Sequence, residues 1–289
     1  ENGNMATGTV TIDGKKYTFN ADGTQKKIKI CLDAGHYGKY NRSPVNGTYY
    51  ESDMSWKLHL KLKSALEARG MEVITTRTTQ AGDLGLEARG KKSAGCDLFL
   101  SLHSNAAGNG VCESVDYPVV FYPVSGKGIG LAAELAECIH KTMGTLQPAQ
   151  TRVRWNSAHN ADYYGVIRFT AAFGVTGMIL EHSFHTNTRM TTWLLDDENL
   201  KRLAAAEAAA IAEHYGLKKT ADEPQRAETV CYHLLSDVPQ GDYRTVLDKL
   251  IAADILRGRS GTGEERVLDL TEDSVRLLVL LDRAGAFGS

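Results

Sequence analysis

The chain contains no Cys-x-x-Cys pair, no long apolar run and no concentrated basic segment, and each absence removes a class of function. Without closely spaced thiols there is neither a thiolate metal cage nor a dithiol redox motif to expect. Cys31, Cys96, Cys112, Cys138 and Cys231 make an odd count of five in 289 residues, so a disulfide framework is not expected. Cys31 and Cys96 border apolar strands and read as small buried hydrophobes. That cysteine usage favours synthesis in a reducing cytoplasm. A membrane-spanning helix needs about 20 consecutive apolar residues, and no such run or signal-type hydrophobic segment is present. Lys and Arg number 33 against 35 Asp and Glu, a net charge of −2, and they are scattered. Nucleic acid, which requires a concentrated basic face, is therefore not an expected partner. What is there, 42% apolar residues, is enough for one well-buried α/β core with smaller attachments.

From residue 27 to 217 the sequence alternates strand-like and helix-like segments. Strands are predicted near 28–33, 72–76, 97–102, 117–122 and 176–181, and helices near 53–69, 84–94, 126–144 and 191–214. The last of these is rich in Ala and Leu, with Asp196, Asp197 and Glu198 near its start. Such alternation implies a mostly parallel sheet covered on both faces, an α/β fold.

Three segments of this region, KIKICLDAGHYG (27–38), LFLSLHSNA (98–106) and GMILEHSFHTN (177–187), run from apolar strand residues into metal-competent side chains. Open α/β sheets place their sites at the carboxyl ends of strands. The segments deliver His36, His103 and Glu181 there. Glu51, fifteen residues after His36, opens the helix-like stretch SDMSWKLHLKLKSALEARG. Two imidazoles and one carboxylate suit zinc, and catalytic zinc sites keep a further position open. A water held by zinc has its pKa lowered to about 7. A second carboxylate that is not a ligand can then accept and return a proton, and Glu181 is the candidate. His182 and His185 closely follow it, and either could line a groove. His59, His140, His159, His182, His185, His214 and His233 have ordinary readings as surface or helix residues.

These motifs resemble the zinc-dependent N-acetylmuramoyl-L-alanine amidases of bacterial autolysins and phage endolysins, from about Lys27 to about Leu217. LDAGHYG resembles the motif of the first zinc histidine, Glu51 stands at the zinc glutamate, and SLHSNA resembles the segment of the second zinc histidine. LEHSFHTN is similar to the segment led by the catalytic glutamate. The stretch from Thr76-Arg77 through Leu86 and Arg89 to His103 also follows the family order. Tyr37 stands where the family commonly has Gly, and His182-Ser183 where a small residue and Gly are more usual. The resemblance implies a sheet of about six strands, zinc held by His36, Glu51 and His103, and Glu181 as base and acid. It implies cleavage of peptidoglycan at the amide between the lactyl group of N-acetylmuramic acid and L-alanine of the stem peptide. The expected place of action is the bacterial cell wall or extracellular space for an autolysin, or host cytoplasm and then wall for an endolysin. From the residues alone, metal-assisted hydrolysis is as far as the reading goes. Another zinc hydrolase of wall peptides, or a non-catalytic wall-binding protein, are the alternatives.

Residues 1–26 alternate apolar and polar positions around Asp13-Gly14 and Asp22-Gly23, the pattern of a β-hairpin. Gly8 to Gly23 resembles a choline- or glucan-binding type of cell-wall repeat, and Glu1-Asn2-Gly3 the tail of a preceding one, so a longer repeat array is expected. Residues 218–228, KKTADEPQRAE, have the composition of a linker. Residues 229–289 read as a small helical module for wall targeting or self-association. Its expected helix caps are Ser236 or Asp237 and Thr271, and its expected buried stripe is Val275, Leu278, Val279 and Leu281.

Overall fold

The computed structural model describes residues 5–12, 15–24, 26–217, 231–283 and 285–287, so the expected Asp13-Gly14 turn and the expected linker at 218–228 lie outside the described residues. The chain divides into two compact units, 1–218 and 219–289.

In the first unit, β1 (Gly8–Ile12) and β2 (Lys15–Phe19) pair antiparallel as a small hairpin. The rest is a six-stranded mixed sheet in the order β4-β3-β5-β8-β6-β7. Its strands are β3 (Lys29–Ala34), β4 (Glu72–Thr75), β5 (Leu98–Asn105), β6 (Val119–Phe121), β7 (Gln150–Arg152) and β8 (Thr176–Phe184). Strands β4, β3, β5 and β8 are mutually parallel, and β6 runs antiparallel to β8. Helices α1 (Glu51–Glu67), α2 (Leu86–Lys92), α3 (Ile129–Met143), α4 (Gly165–Ala171), α5 (Thr188–Leu195) and α6 (Asp197–His214) surround it. None of the helices in the described residues is long and apolar enough to cross a membrane.

The two faces of the sheet follow from the strict alternation of strand side chains. On one face, Ile30, Leu32, Leu98, Leu100, Leu102 and Leu180 join a large core with α1, α3 and α6. Burying a side chain of this size contributes about 1.5–3 kcal/mol, so this face anchors the fold. On the other, Cys31, Phe99 and Ile179 form a smaller core with Val166 and Ile167 of α4. Asp33, Ser101, His103 and Glu181 have the parity of that second, thinner face. The short helices α2 and α4, of seven residues each, flank the pocket on that face, with Leu86, Arg89, Gly165 and Val166 in its lining.

Several details differ from the sequence reading. β7 and α4 carry too few residues for a periodic signal and were not expected. The helix expected over 191–214 is two helices, because the Asp196 backbone is extended and its side chain caps α6 by accepting from Asn199 N. His59 is a helix residue of α1, as read, though a buried one, whereas His182 in β8 and His185 just after it are buried and lie on neither the surface nor a helix.

The second unit is not purely helical. β9 (Cys231–Leu234) and β10 (Val267–Thr271) pair antiparallel, beside α7 (Asp242–Ala252) and α8 (Glu272–Arg283). Tyr232, Leu235, Val238, Leu247, Leu268 and Val275 form its core. Ser236 and Asp237 lie in a 3-10 turn instead of capping α7, which starts after Gly241. Val275 and Val279 are buried as expected, but Leu281 is exposed: six residues from Val275 is off the buried face of a 3.6-residue helix.

Candidate active site

His36 lies two residues beyond β3, on a backbone with φ 56, where a non-glycine residue is strained. Two buried arginines hold that turn. Arg77 donates from Nε and Nη2 to the Ala34 carbonyl, at 3.1 and 3.0 Å. Arg89 donates from Nη1 to the same carbonyl and from Nη2 to that of His36, both at 3.1 Å. The neighbouring Gly35 leaves room for a ring, since a Cβ there would stand 2.3 Å from Cε1 of His103. The Thr-Arg and helix-Arg positions noted in the sequence thus converge on the turn that presents His36.

Glu51 is the first residue of α1, where the helix dipole favours a carboxylate. It is 2% exposed. Its Oε1 lies 2.7 Å from His103 Nδ1 and accepts from Ser104 N at 3.2 Å. Its Oε2 lies 3.2 Å from His36 Nε2 and accepts from Asn41 Nδ2 at 2.6 Å. Burial opposes ionisation of Glu51, but the hydrogen bonds and charges of His103 and His36 outweigh it and hold the carboxyl well below the usual carboxylate range.

His103 and Glu181 are register partners on the adjacent parallel strands β5 and β8. Both were expected at strand ends, yet β5 continues to Asn105 and β8 to Phe184. Glu181 faces the same pocket as the other three residues. Its Oε2 is buried and has no hydrogen-bond partner among the described residues. Burial first, and the negative charge of Glu51 second, push the Glu181 carboxyl well above its ordinary range. Two carboxylates facing one cavity without a cation disfavour each other's charge.

His36, Glu51 and His103 each offer one ligand atom, all within 4.8 Å of one another. Two imidazoles and a carboxylate fit zinc chemically. The enclosed, unpartnered Oε2 of Glu181 beside them is the buried polar atom that a bound cation and its water would satisfy. The pocket around the set has a volume of about 640 Å³. Tyr37, Tyr40, Leu86 and Tyr164 are among the residues that line it. Tyr40 stacks on the His36 ring at 4.6 Å between centroids.

The two histidines after Glu181 part company because His182 follows the strand alternation, whereas His185 lies beyond the end of β8 and past Ser183, where φ 58 and a shift of register break that alternation. His185 lines the pocket, with Nδ1 2.9 Å from Ser104 Oγ and 3.0 Å from the Ser104 carbonyl. His182 points to the opposite face, where it is fully buried with Nε2 2.7 Å from Glu207 Oε1 and Nδ1 2.8 Å from the His103 carbonyl. It cannot line the groove. Asp33 and Ser101 were not expected as site residues, although their alternation with His103 places them on its face. Tyr40 and Tyr164 were not expected either, being far apart in sequence with no spacing signal.

Residues 30–213 match the family Amidase_3, described as N-acetylmuramoyl-L-alanine amidase. The chain is 27% identical over 197 residues to the N-acetylmuramoyl-L-alanine amidase CwlM of Bacillus licheniformis, covering 67% of this chain and 71% of that protein. It is 28% identical over 224 residues to an endolysin of Bacillus phage SPP1, covering 73% of this chain and 78% of the endolysin. The catalytic domain of CwlV, an N-acetylmuramoyl-L-alanine amidase from Bacillus (Paenibacillus) polymyxa var. colistinus, has the same fold, with a TM-score of 0.56 at 22% identity. That likeness covers 66% of this chain and 99% of the CwlV domain.

Proposed function

The chain belongs to the N-acetylmuramoyl-L-alanine amidase family, and from that premise we propose that it is a zinc-dependent peptidoglycan hydrolase acting at the bacterial cell wall. Its substrate bond is the amide joining the lactyl group of N-acetylmuramic acid to L-alanine of the stem peptide. The observation that carries the metal reading is the convergence of His36, Glu51 and His103 to within 4.8 Å beside the unpartnered Oε2 of Glu181. Zinc held by those three residues supplies Lewis acidity that polarises a carbonyl and lowers the pKa of a water.

The chain's own residues do the rest. Glu51 supplies the negative charge of the cage, held in place by Asn41 and the Ser104 amide. Glu181 accepts the proton of the attacking water on its carboxylate and returns it to the departing alanine nitrogen, as a general base and then acid.

Digestion of purified peptidoglycan with mass analysis of the products tests the bond. New L-alanine amino termini with intact glycan chains are expected. Cleavage within the peptide or between sugars would assign a different hydrolase.

The second unit is proposed as a separate module for wall targeting or self-association, with its own core and with Leu277 and Leu280 exposed on α8. The hairpin of 1–26 is proposed as part of a wall-binding repeat. Removing residues 229–289 is expected to spare hydrolysis of small soluble muropeptides and to reduce lysis of whole walls. Equal loss on both substrates would make the module part of the catalytic fold.

A further inference from the structure

His103 has two distinct ring nitrogens, and the group that one of them meets decides what the other offers. Nδ1 faces Glu51 Oε1 at 2.7 Å, on the metal side. Nε2 faces away, 3.0 Å from Ser101 Oγ. Ser101 is fully buried and has a single hydroxyl hydrogen. Its Oγ also lies 2.6 Å from Asp33 Oδ2, and a carboxylate only accepts, so the hydrogen is donated there. Ser101 has only lone pairs left for the imidazole, and Nε2 must bring the proton of that contact.

Asp33 is fixed in this role. Its Oδ1 accepts from Arg89 Nη1 at 2.7 Å and from Thr76 Oγ1 at 2.6 Å, and all three residues are buried. The ring is fixed as well, because it packs so closely over Gly35 that a Cβ there would lie 2.5 Å from Nε2. From this chain of contacts we infer that Ser101, oriented by Asp33, is a positioning residue. It holds a proton on Nε2, so that Nδ1, beside Glu51 Oε1, is the nitrogen left to give up its proton and meet the ion. The arrangement rests on the reading that His36, Glu51 and His103 hold zinc, and it adds how one ligand is prepared for the ion.

The test measures zinc affinity by competition with a chromophoric chelator, in the full chain and in Ser101→Ala and Ser101→Thr. Outer partners of metal-bound histidines are typically worth about 10–100-fold in affinity. Ser101→Ala is expected to bind zinc more weakly by that factor, and Ser101→Thr, which keeps the hydroxyl, to recover part of it. The nitrogen-15 shifts of the His103 ring, read in the unmutated protein with and without zinc, are expected to show a protonated Nε2 in both. An unprotonated Nε2 overturns the inference, and so does unchanged zinc affinity in Ser101→Ala. If the unmutated protein takes up no zinc, the metal reading fails by itself, and the ring shifts still decide where the proton sits.

Discussion

Glu181→Gln is expected to lower the turnover of peptidoglycan by at least about 10²-fold while the protein still binds zinc. Glutamine keeps the size and shape of the side chain, and β8 holds its backbone in register with His103. What it removes is the ability to accept a proton. General acid–base catalysis is typically worth about 10²–10⁴-fold, which sets the scale of the loss. Steady-state rates on soluble muropeptides, with metal content measured on the same preparation, check both halves. A variant that lost its metal would make Glu181 a ligand instead of a base. Normal turnover would move the base elsewhere, and His185 is then the next candidate because it lines the pocket. His182 is not, since it is enclosed with Glu207 on the opposite face.

Removal of metal is expected to abolish activity almost completely, and added zinc to restore it. The physical reason is the pairing of two carboxylates around one pocket. Without a cation, burial and then the charge of Glu51 push the Glu181 carboxyl upward, which disfavours the ionised form that a base needs. His36→Ala or His103→Ala should bring the same loss together with loss of bound zinc, because each removes one of the three donors. Lower pH should weaken zinc binding and activity together, since the ligands must give up protons to bind. The check is activity after chelation and after stoichiometric return of zinc, alongside the metal content of the two variants. Full turnover in a metal-free preparation would remove zinc from the reaction.

The strand character of 28–33, 72–76, 97–102 and 176–181 was legible because each is a run of β-branched and other apolar residues ending in turn-forming or polar positions. The α/β class followed from their alternation with helical stretches. Short elements were not legible: β7 has three residues and α4 seven, too few for a period to emerge. The internal strands of the second unit were missed for a related reason. Its helical segments dominate the pattern, while the pairing of β9 with β10 joins residues 33 to 40 positions apart.

The metal-competent residues His36, Glu51, His103 and Glu181 could be named from the sequence because their chemistry is local. Each sits beside an apolar run or a helix start, in an order that resembles a known family. Strand alternation with period two puts Asp33, Ser101, His103 and Glu181 on one face, whereas the choice between His182 and His185 stayed open in the sequence until the structure turned His182 toward Glu207. What only the tertiary structure decided is the company each residue keeps. Register between β3, β5 and β8 sets Asp33 beside Ser101 and His103 beside Glu181. The crossing of α1 over the sheet brings Glu51 between two imidazoles 52 and 15 positions away in sequence. Such meetings depend on long-range packing of the large apolar face, whose burial energy outweighs the strain at His36 and the cost of enclosing Glu51 and Glu181. No local pattern along the chain records that balance.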